Sequence, residues 1–470
     1  MKTQTAEKKL VIGTAVYMLG NIGSKLLQVL ILPLITSKLQ TDLYGYYDLI
    51  VTTISLISPI ITLQMIEGMF RYLFNADDEE RKATLSTVTI FLIVSSAGFG
   101  FLFWGFDTLI KDTQYPILIY LNYISAILFN YSQKLARCQK QNVRFAIAGV
   151  INTAVMLLAE AITLLVFHLT VDGMLFSNVI SYIVASAYLL FGLNIKKEIS
   201  LNRFDRKLFK KLIVYSAPLI PNSLAWWMVA SFDKYVITYA LGPSSNGIYA
   251  IASKFPQLLT LATSVFQLAW QESAIMEEKS KKRDEFYTKT FNIYFKLLLS
   301  GFIIALPFIK ISLKYLLDES YQSGYLYIPI LLLGSVFAAF SQFFGSAYLV
   351  FKKTSGAFTT TIIAAIVNLI VGVGLIKYMG LFAPALGTMV AFGVQWLIRV
   401  FQLKDSFRIK FEVINTIALL GIAIVVSGIY YIENALVQFV CLVFALAVAI
   451  LFNKEIITKL RGVIKRRIAK

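Results

Sequence analysis

The stretch YMLGNIGSKLLQVLILPLI, residues Tyr17–Ile35, is apolar along most of its length and carries one lysine, Lys25, near its middle. A run of about 20 apolar residues can cross a hydrocarbon core of roughly 30 Å as an α-helix. The run lacks an A-x-A cleavage site and continues into a second apolar segment, so it is interpreted as a retained helix rather than a signal peptide. Similar segments recur to the end of the 470-residue chain, of which 58% is hydrophobic. The sequence therefore predicts a polytopic membrane protein.

The apolar segments predict an all-α fold with about fourteen transmembrane helices. The second and seventh predicted spans are long enough to require tilt or to extend beyond the bilayer. The fourteen predicted spans are 10–38, 43–74, 84–110, 115–137, 143–170, 173–195, 208–241, 246–273, 286–312, 323–351, 355–378, 384–403, 411–432 and 434–456.

The basic residues concentrate in alternate loops. With the N-terminus placed inside, 34 of the 44 Lys and Arg residues lie on the inner side, including four in 134–144 and four in 399–410. The opposite loops hold only Lys38, Lys111, Lys310, Lys314 and Lys377. Because cytoplasmic loops of membrane proteins carry an excess of Lys and Arg, this distribution predicts that both termini are cytoplasmic. It also explains the net charge of +18 without a nucleic-acid partner.

Five further cations lie at or near membrane depth: Lys25, Arg71, Lys234, Lys254 and Lys296. Arg71 and Lys296 are close enough to predicted helix ends for their charged groups to reach the interface. A lysine at a helix centre costs about 2.5–3.5 kcal/mol on insertion scales. The other three lysines are therefore expected to face the bundle interior or a water-filled cavity.

Polar residues share predicted helix faces with these lysines. The face of the first span carries Tyr17, Asn21, Ser24, Lys25 and Gln28. The eighth span carries Lys254, Gln257, Ser264, Gln267 and Gln271, and the seventh carries Asn222, Ser223, Trp226, Asp233 and Lys234. Such Ser, Asn and Gln residues either line a substrate cavity or form hydrogen bonds between helices, and both interpretations remain open.

Five carboxylates are candidate partners for the deep lysines: Asp48, Glu67, Glu160, Asp233 and Glu272. Glu67 and Arg71 are four residues apart on a predicted helix and are expected to pair with each other. Acids are scarce near Lys25, and an unpaired cation that faces a cavity would bind an anion. All of these carboxylates except Glu160 are also candidates for binding a proton or a sodium ion during transport.

The chain shows no arrangement typical of an enzyme. His168, the only histidine, lies at a predicted helix end, and Cys138 and Cys441 lack CxxC spacing. Nucleotide-binding and hydrolase motifs are absent from the sequence, and the loops are short. We therefore expect neither catalysis nor a metal or organic cofactor.

An internal repeat links the two halves of the chain. LQTDLYGYYDLI begins at Leu39 and LGPSSNGIYAIA begins at Leu241, an offset of 202 residues that aligns Gly45 with Gly247 and Tyr47 with Tyr249. Transporter folds commonly contain two such lobes. We predict an N-lobe at 1–195, a basic cytoplasmic linker at 196–211, a C-lobe at 212–404, and two further helices with a basic tail at 405–470.

Several segments resemble one known family. They include LPLITSKLQTDLYGYYDLI, EGMFRYLF and YSAPLIPNSLAWWMVASFDKYVITYALGPSSNGIYAIASKFPQLL, and the similarity is densest at 211–275. The sequence resembles the Wzx-type O-antigen and capsule oligosaccharide flippases, a polysaccharide transporter family of the multidrug/oligosaccharidyl-lipid/polysaccharide exporter superfamily. The resemblance covers nearly the whole chain.

This resemblance implies two pseudo-symmetric six-helix lobes around a central cavity, followed by two C-terminal helices. It implies a bacterial inner-membrane protein that moves undecaprenyl-diphosphate-linked oligosaccharide to the outer leaflet by alternating access. Membrane lipids, a polysaccharide polymerase and glycosyltransferases would be its partners. A diphosphate is anionic, so the expected substrate-binding cations are Lys25, Lys234, Lys254 and Arg71. The expected glycan contacts are Tyr17, Asn21, Gln28, Asn222, Trp226 and Gln257.

Three other functions compete with this interpretation. A lipid II flippase of the same superfamily would carry the same headgroup, so composition does not separate the two. A multidrug exporter would need buried acids to hold organic cations. A non-transporting scaffold could dock partners through basic loops such as 196–211, but it would have no need of lysines within the bilayer.

Overall fold

The computed structural model describes residues 29–73, 77–110, 114–193, 198–200, 203–351, 354–454 and 458. Within these ranges the regular structure is helical and no strand occurs. Ten of the described helices are long and apolar enough to cross a membrane, and Val413–Ile429 is a shorter apolar helix. The predicted all-α, multi-span fold is confirmed.

The described helices are numbered in chain order. The first nine are α1 (Leu32–Lys38), α2 (Thr41–Ile61), α3 (Met65–Leu73), α4 (Asp78–Ile110), α5 (Pro116–Cys138), α6 (Asn142–Leu165), α7 (Val171–Gly192), α8 (Arg206–Ser216) and α9 (Leu219–Leu241). The others are α10 (Pro243–Ala252), α11 (Lys254–Met276), α12 (Arg283–Leu316), the 3₁₀ helix Glu319–Tyr327, α13 (Ile328–Val350), α14 (Thr354–Met379), α15 (Phe382–Leu403), α16 (Val413–Ile429) and α17 (Ala435–Phe452).

The chain forms two compact units. The first contains the described residues up to Thr238 together with Gly242–Gly247, and the second contains Tyr239–Leu241 and the described residues from Ile248 onward. The finer division into lobes, linker and C-terminal helices stays a prediction.

The core of the first unit lies where α3, α5 and α7 pack. Met65 and Met69 of α3, Leu135 of α5, and Leu175 and Leu189 of α7 are fully buried there. Apolar side chains also cover the outside: Phe101 of α4 is 82% exposed. Helices that face lipid carry apolar residues on both sides, which accounts for the high hydrophobic content.

The second and seventh predicted spans are not single long helices. The second breaks between α2 and α3, where Leu63 and Gln64 adopt φ angles of 46° and 53°. Positive φ is unfavourable for L-residues other than glycine, so the surrounding packing must hold this break. The seventh span is interrupted at Ala217 and Pro218, between α8 and α9. Pro218 lacks an N–H group and cannot continue the helical hydrogen bonds.

The aligned glycines of the repeat meet within the first unit. A Cβ atom on Gly45 would collide with the carbonyl oxygen of Pro243, and one on Gly247 would collide with that of Thr41. Thr41 and Pro243 are themselves aligned at the 202-residue offset, so the two contacts are reciprocal. Glycine at both positions lets the backbones of α2 and α10 approach closely.

In the second unit an extended segment, residues 407–412, lies along α12. Its backbone N–H groups donate to side chains four residues apart: Arg408 to Asp284 at 3.3 Å, Lys410 to Thr288 at 3.2 Å and Glu412 to Asn292 at 3.4 Å. Four residues of a helix advance about 6 Å and two residues of an extended chain advance about 6.6 Å. Donors on alternate residues of the segment therefore keep pace with acceptors on every fourth residue of α12. This segment fixes where α16 begins.

Candidate functional site

Part of the predicted substrate site lies outside the described residues. This applies to Tyr17, Asn21, Lys25 and Gln28, and also to the side chain of Glu272. The role of these five residues stays a prediction.

An ion pair joins α2 to α9 within the first unit. Lys234 Nζ lies 2.9 Å from Asp48 Oδ1, and the two side chains are 17% and 12% exposed. Lys234 also donates to Thr52 Oγ1 at 3.3 Å. The second Asp48 oxygen accepts from Asn246 Nδ2 at 3.5 Å, and that amide also donates to the Gly45 carbonyl at 2.9 Å. Lys234 is thus held by a carboxylate, which offsets the cost of placing its charge in a membrane helix.

A cavity of about 440 Å³ lies in the same unit, between α2, α3, α5, α7 and α9. Many of its lining groups can form hydrogen bonds: Ser55, Ser58, Asn122, Asn130, Tyr182 and Ser223. We call this space the polar cavity. Trp227 forms part of its wall, and its Nε1 donates to Ser55 Oγ at 3.0 Å and to the Thr52 carbonyl at 3.2 Å. Thr52 therefore connects the polar cavity to the Asp48–Lys234 pair.

The break between α2 and α3 contributes to this wall. Gln64, one of the two residues with positive φ, lines the cavity and donates from Nε2 to Ser223 Oγ at 2.6 Å. Non-helical backbone at membrane depth is tolerated where it is buried in protein or lines a polar cavity. Interrupted helices of this kind form substrate sites in many transporters.

Glu67 pairs with Lys134 of α5 instead of the predicted Arg71. Glu67 Oε1 lies 2.6 Å from Lys134 Nζ, whereas Arg71 is exposed. The i, i+4 spacing places Glu67 and Arg71 near each other, but α5 presents a lysine closer to the carboxylate. Lys134 is one of the basic residues 134–144 that were predicted on the inner side, yet it lies within α5 and its side chain is only 21% exposed.

The polar cavity includes part of the predicted polar face of α9. Ser223 of that face lines the cavity together with Trp227, which was not predicted, whereas Asn222 and Trp226 are exposed and their role stays a prediction. Ser223 and Trp227 are four residues apart and share one helix face, which was the available sequence signal. Asp233 is buried, and one of its carboxylate oxygens accepts from the backbone N–H of Lys234 at 3.0 Å.

In the second unit Lys254, at the start of α11, is half-buried and Gln257 is exposed. Among the side chains that the structure describes, Lys254 has no carboxylate partner. Gln267, on the same helix, donates to the Gln342 carbonyl of α13 at 2.7 Å, as expected of a hydrogen bond between helices. Lys296 pairs with Glu412 at 3.1 Å.

Arg399 of α15 is a buried cation that sequence analysis missed. It lies four residues before the helix end and was counted with the basic loops, yet it is 3% exposed. Its Nε donates to Thr360 Oγ1 at 3.0 Å and its Nη1 to the Ser341 carbonyl at 2.8 Å. The Tyr348 ring centroid lies 5.8 Å from its guanidinium carbon. Neutral groups from α13 and α14 thus surround this charge.

The fold is that of transporters of the MOP superfamily. The structure of the lipid II flippase MurJ in an inward closed conformation matches with a TM-score of 0.70 at 14% identity, covering 95% of this chain and 99% of that one. An inward-facing multidrug resistance MATE family transporter matches at 0.65 and 14% identity, covering 83% and 95%. A MOP superfamily transporter from Pyrococcus furiosus, described as having a binding pocket of reverse polarity, matches at 0.58 and 16% identity, covering 85% and 96%.

The family follows from the sequence. Residues 10–271, more than half of the chain, match the family model described as polysaccharide biosynthesis protein. The chain belongs to this polysaccharide biosynthesis protein family, which confirms the resemblance at the family level. A comparison with curated proteins finds no match.

Proposed function

We propose that this protein is a flippase that moves undecaprenyl-diphosphate-linked oligosaccharide from the cytoplasmic to the outer leaflet of a bacterial inner membrane, for surface polysaccharide assembly such as O-antigen or capsule. The family match and the transporter fold support this function. The polar cavity carries the proposal, because its hydroxyl and amide side chains offer a polar ligand several hydrogen-bonding groups within a space of about 440 Å³. Both termini would be cytoplasmic, and polymerase and glycosyltransferases would be partners.

The lining of the cavity suits a sugar. Hydroxyl and amide side chains can exchange hydrogen bonds with sugar hydroxyls, and the Trp227 ring offers an apolar face for a pyranose. The diphosphate needs cations, for which Lys25, Lys254 and Arg71 remain candidates together with Lys234. Lys134 joins this set because it contacts Glu67, which itself lines the cavity.

The two ion pairs of the first unit give a role to the candidate ion-coupling carboxylates. Protonation of Asp48 or Glu67 would neutralise the partner of Lys234 or Lys134 and free that lysine for a phosphate oxygen. Proton uptake and diphosphate binding would then favour each other. Asp233 and Glu272 remain further candidates for proton or sodium binding, and alternating access would carry the loaded site across the membrane.

The test is translocation in proteoliposomes of a labelled polyprenyl-diphosphate oligosaccharide. We expect Trp227→Ala to slow translocation about tenfold, since an aromatic contact contributes about 0.5–1.5 kcal/mol and the wall hydrogen bond to Ser55 is also lost. Trp104→Ala is the matched control, because Trp104 is 39% exposed on α4 and lies outside the cavity. Lys25→Gln tests the predicted headgroup contact in the same assay.

Two outcomes contradict the proposal. Wild-type protein that moves none of several lipid-linked oligosaccharides would exclude this function. Protein that moves lipid II faster than any of them would replace it with the lipid II interpretation. Each variant is first shown to elute as a single species, so that a loss of transport is not a loss of fold.

A further inference from the structure

A second cavity of the first unit lies between α4 and α5 and opens at the surface. Its volume is about 340 Å³, and its walls are mainly apolar: Leu92, Ile93 and Ala97 of α4, and Ile124, Ile127 and Leu128 of α5. We call it the α4–α5 groove. Ile93 is 63% exposed, so the groove is accessible from the side of the helix bundle, where lipid would lie.

A tyrosine hydrogen bond closes each end of the groove. Tyr120 donates to the Ser96 carbonyl at 2.9 Å, and the Tyr131 and Thr89 hydroxyls lie 2.8 Å apart. These polar atoms of the lining are therefore already paired, and the groove offers its occupant mainly hydrocarbon contacts. Tyr120 and Tyr131 are eleven residues apart, which corresponds to about 16 Å along α5. This is roughly half of a 30 Å hydrocarbon core, the depth of one leaflet.

Helix α5 separates this groove from the polar cavity. Asn122, Ala126 and Asn130 line the polar cavity at four-residue spacing, whereas Ile124 and Leu128 line the groove. Ile127 belongs to both walls. A compartment rich in hydrogen-bonding groups and an apolar slot thus lie back to back across one helix. A ligand that fills both must have a polar head and a hydrocarbon tail.

We propose that the α4–α5 groove binds the isoprenoid tail of the transported lipid while the polar head of that lipid enters the polar cavity. This inference rests on the proposed function and adds to it a site for the tail. The tail is the favoured occupant over a bulk acyl chain, because only a tail tied to a headgroup gains from a groove that shares a wall with the polar cavity. Membrane lipid in the groove is the alternative that the experiment must detect.

Photolabelling locates the tail. Full-length protein in detergent is labelled with farnesyl diphosphate that carries a diazirine on its terminal isoprene unit, and the labelled peptides are identified by mass spectrometry. We expect label on α4 between residues 89 and 97 and on α5 between residues 124 and 131, and excess unlabelled farnesyl diphosphate should remove it. Labelling only at other helices would overturn the proposal. Equal labelling by a diazirine phosphatidylglycerol, unaffected by farnesyl diphosphate, would show a slot for bulk lipid instead.

A matched pair of variants tests the groove by binding. Ala97→Trp fills the groove, whereas Phe101→Trp changes a side chain on the same helix that is 82% exposed and outside the lining. We expect Ala97→Trp to weaken the binding of radiolabelled farnesyl diphosphate about tenfold, because hydrocarbon burial supplies much of the affinity of a prenyl chain. Inorganic diphosphate should compete equally well with wild type and both variants, since it has no tail. Unchanged farnesyl diphosphate affinity in a folded Ala97→Trp protein contradicts the proposal, and photolabelling of wild type decides the case if this variant does not fold.

Failure of this inference is distinguishable from failure of the proposed function. If wild type translocates the oligosaccharide lipid and groove labelling is absent, only the tail site is wrong. If the groove binds farnesyl diphosphate but no lipid-linked oligosaccharide is moved, the tail site stands for a prenyl diphosphate and the proposed cargo is wrong.

Discussion

Two largely buried lysines of the first unit and a buried arginine of the second are neutralised in different ways. In the first unit Lys234 and Lys134 each contact a carboxylate, at 2.9 and 2.6 Å. In the second unit Arg399 is more deeply buried than either lysine, and its hydrogen bonds go to hydroxyl and carbonyl oxygens. A carboxylate can gain a proton and a lysine can lose one, but a guanidinium stays charged at any physiological pH. Lys234 and Lys134 of the first unit are therefore neutralised by carboxylates, whereas Arg399 of the second unit is a fixed cation among neutral groups.

This difference indicates different roles. The Asp48–Lys234 pair connects through Thr52 to Trp227 in the wall of the polar cavity. Arg399 instead holds together three helices, α13, α14 and α15, through groups that do not titrate. The lysine–carboxylate pair thus lies beside the candidate site, whereas the guanidinium of Arg399 lies between packed helices.

The largest effect is expected when the first unit loses one partner of its pair. Asp48→Ala leaves Lys234 largely buried without a counter-charge, and removing one member of a buried ion pair typically costs about 3–5 kcal/mol. We expect the free energy of unfolding in detergent to fall by an amount in this range. Chemical denaturation followed by near-ultraviolet circular dichroism measures it.

The double variant Asp48→Leu with Lys234→Met is the control for this prediction. It removes both charges and should recover most of the lost stability, since a well-packed apolar pair can replace a buried ion pair. If Asp48→Ala hardly changes the free energy of unfolding, Lys234 must contact water or another acceptor in the variant. The comparison between the two units would then fail.

Much of the fold could be predicted because hydrophobic length and charge asymmetry are local properties. The helix break at Leu63 and Gln64 could not be predicted, because neither residue is a glycine or proline and the apolar pattern continues across it. The strained backbone is stabilised by contacts such as the hydrogen bond from Gln64 to Ser223, which is 159 residues away in sequence.

The sequence predicted several residues of the candidate site, but it did not predict which of them form ion pairs with each other. Asp48 and Lys234 were both candidates, yet their contact spans 186 residues and depends on how α2 packs against α9. Lys134 and Arg399 were assigned to loops because both lie four residues before a helix end, and sequence distance does not show which way a side chain points. Ser223 was predicted, but Trp227 was missed because α9 is apolar on most sides and its cavity face is hard to recognise.

A smaller effect is expected in the second unit. Arg399→Leu removes the guanidinium donors but leaves Thr360 and Thr361 bonded to the Ala357 carbonyl, at 3.0 and 2.9 Å. The remaining cost is the loss of hydrogen bonds to a charged group and a packing change, about 1–3 kcal/mol. Thermal unfolding should show this loss with equal size at pH 6 and pH 8.

Arg399→Lys sharpens the same comparison. A lysine keeps the charge but cannot reach Thr360 and Ser341 with a planar fork, so it should restore little of the stability. Full recovery in Arg399→Lys would mean that charge alone matters, and Arg399 would then resemble the lysines of the first unit.

The smallest loss of stability is expected at the Lys296–Glu412 pair of the second unit, because Glu412 is exposed. The Asn415 amide, 2.6 Å from Glu412 Oε2, is the main cause of a lowered Glu412 pKa, and Lys296 lowers this pKa further. Because the folded-state pKa is depressed, the carboxylate stabilises the fold above its unfolded pKa, and this contribution is lost as the pH falls through the folded pKa. Asn415→Ala should therefore cost about 0.2–1 kcal/mol at pH 7, the range of exposed charge interactions, and nearly nothing at an acid pH that protonates Glu412 in the folded state. Denaturation of wild type and Asn415→Ala at both pH values measures the difference. An equal cost at the two pH values would show that Asn415 acts through the start of α16 and not through the charge of Glu412.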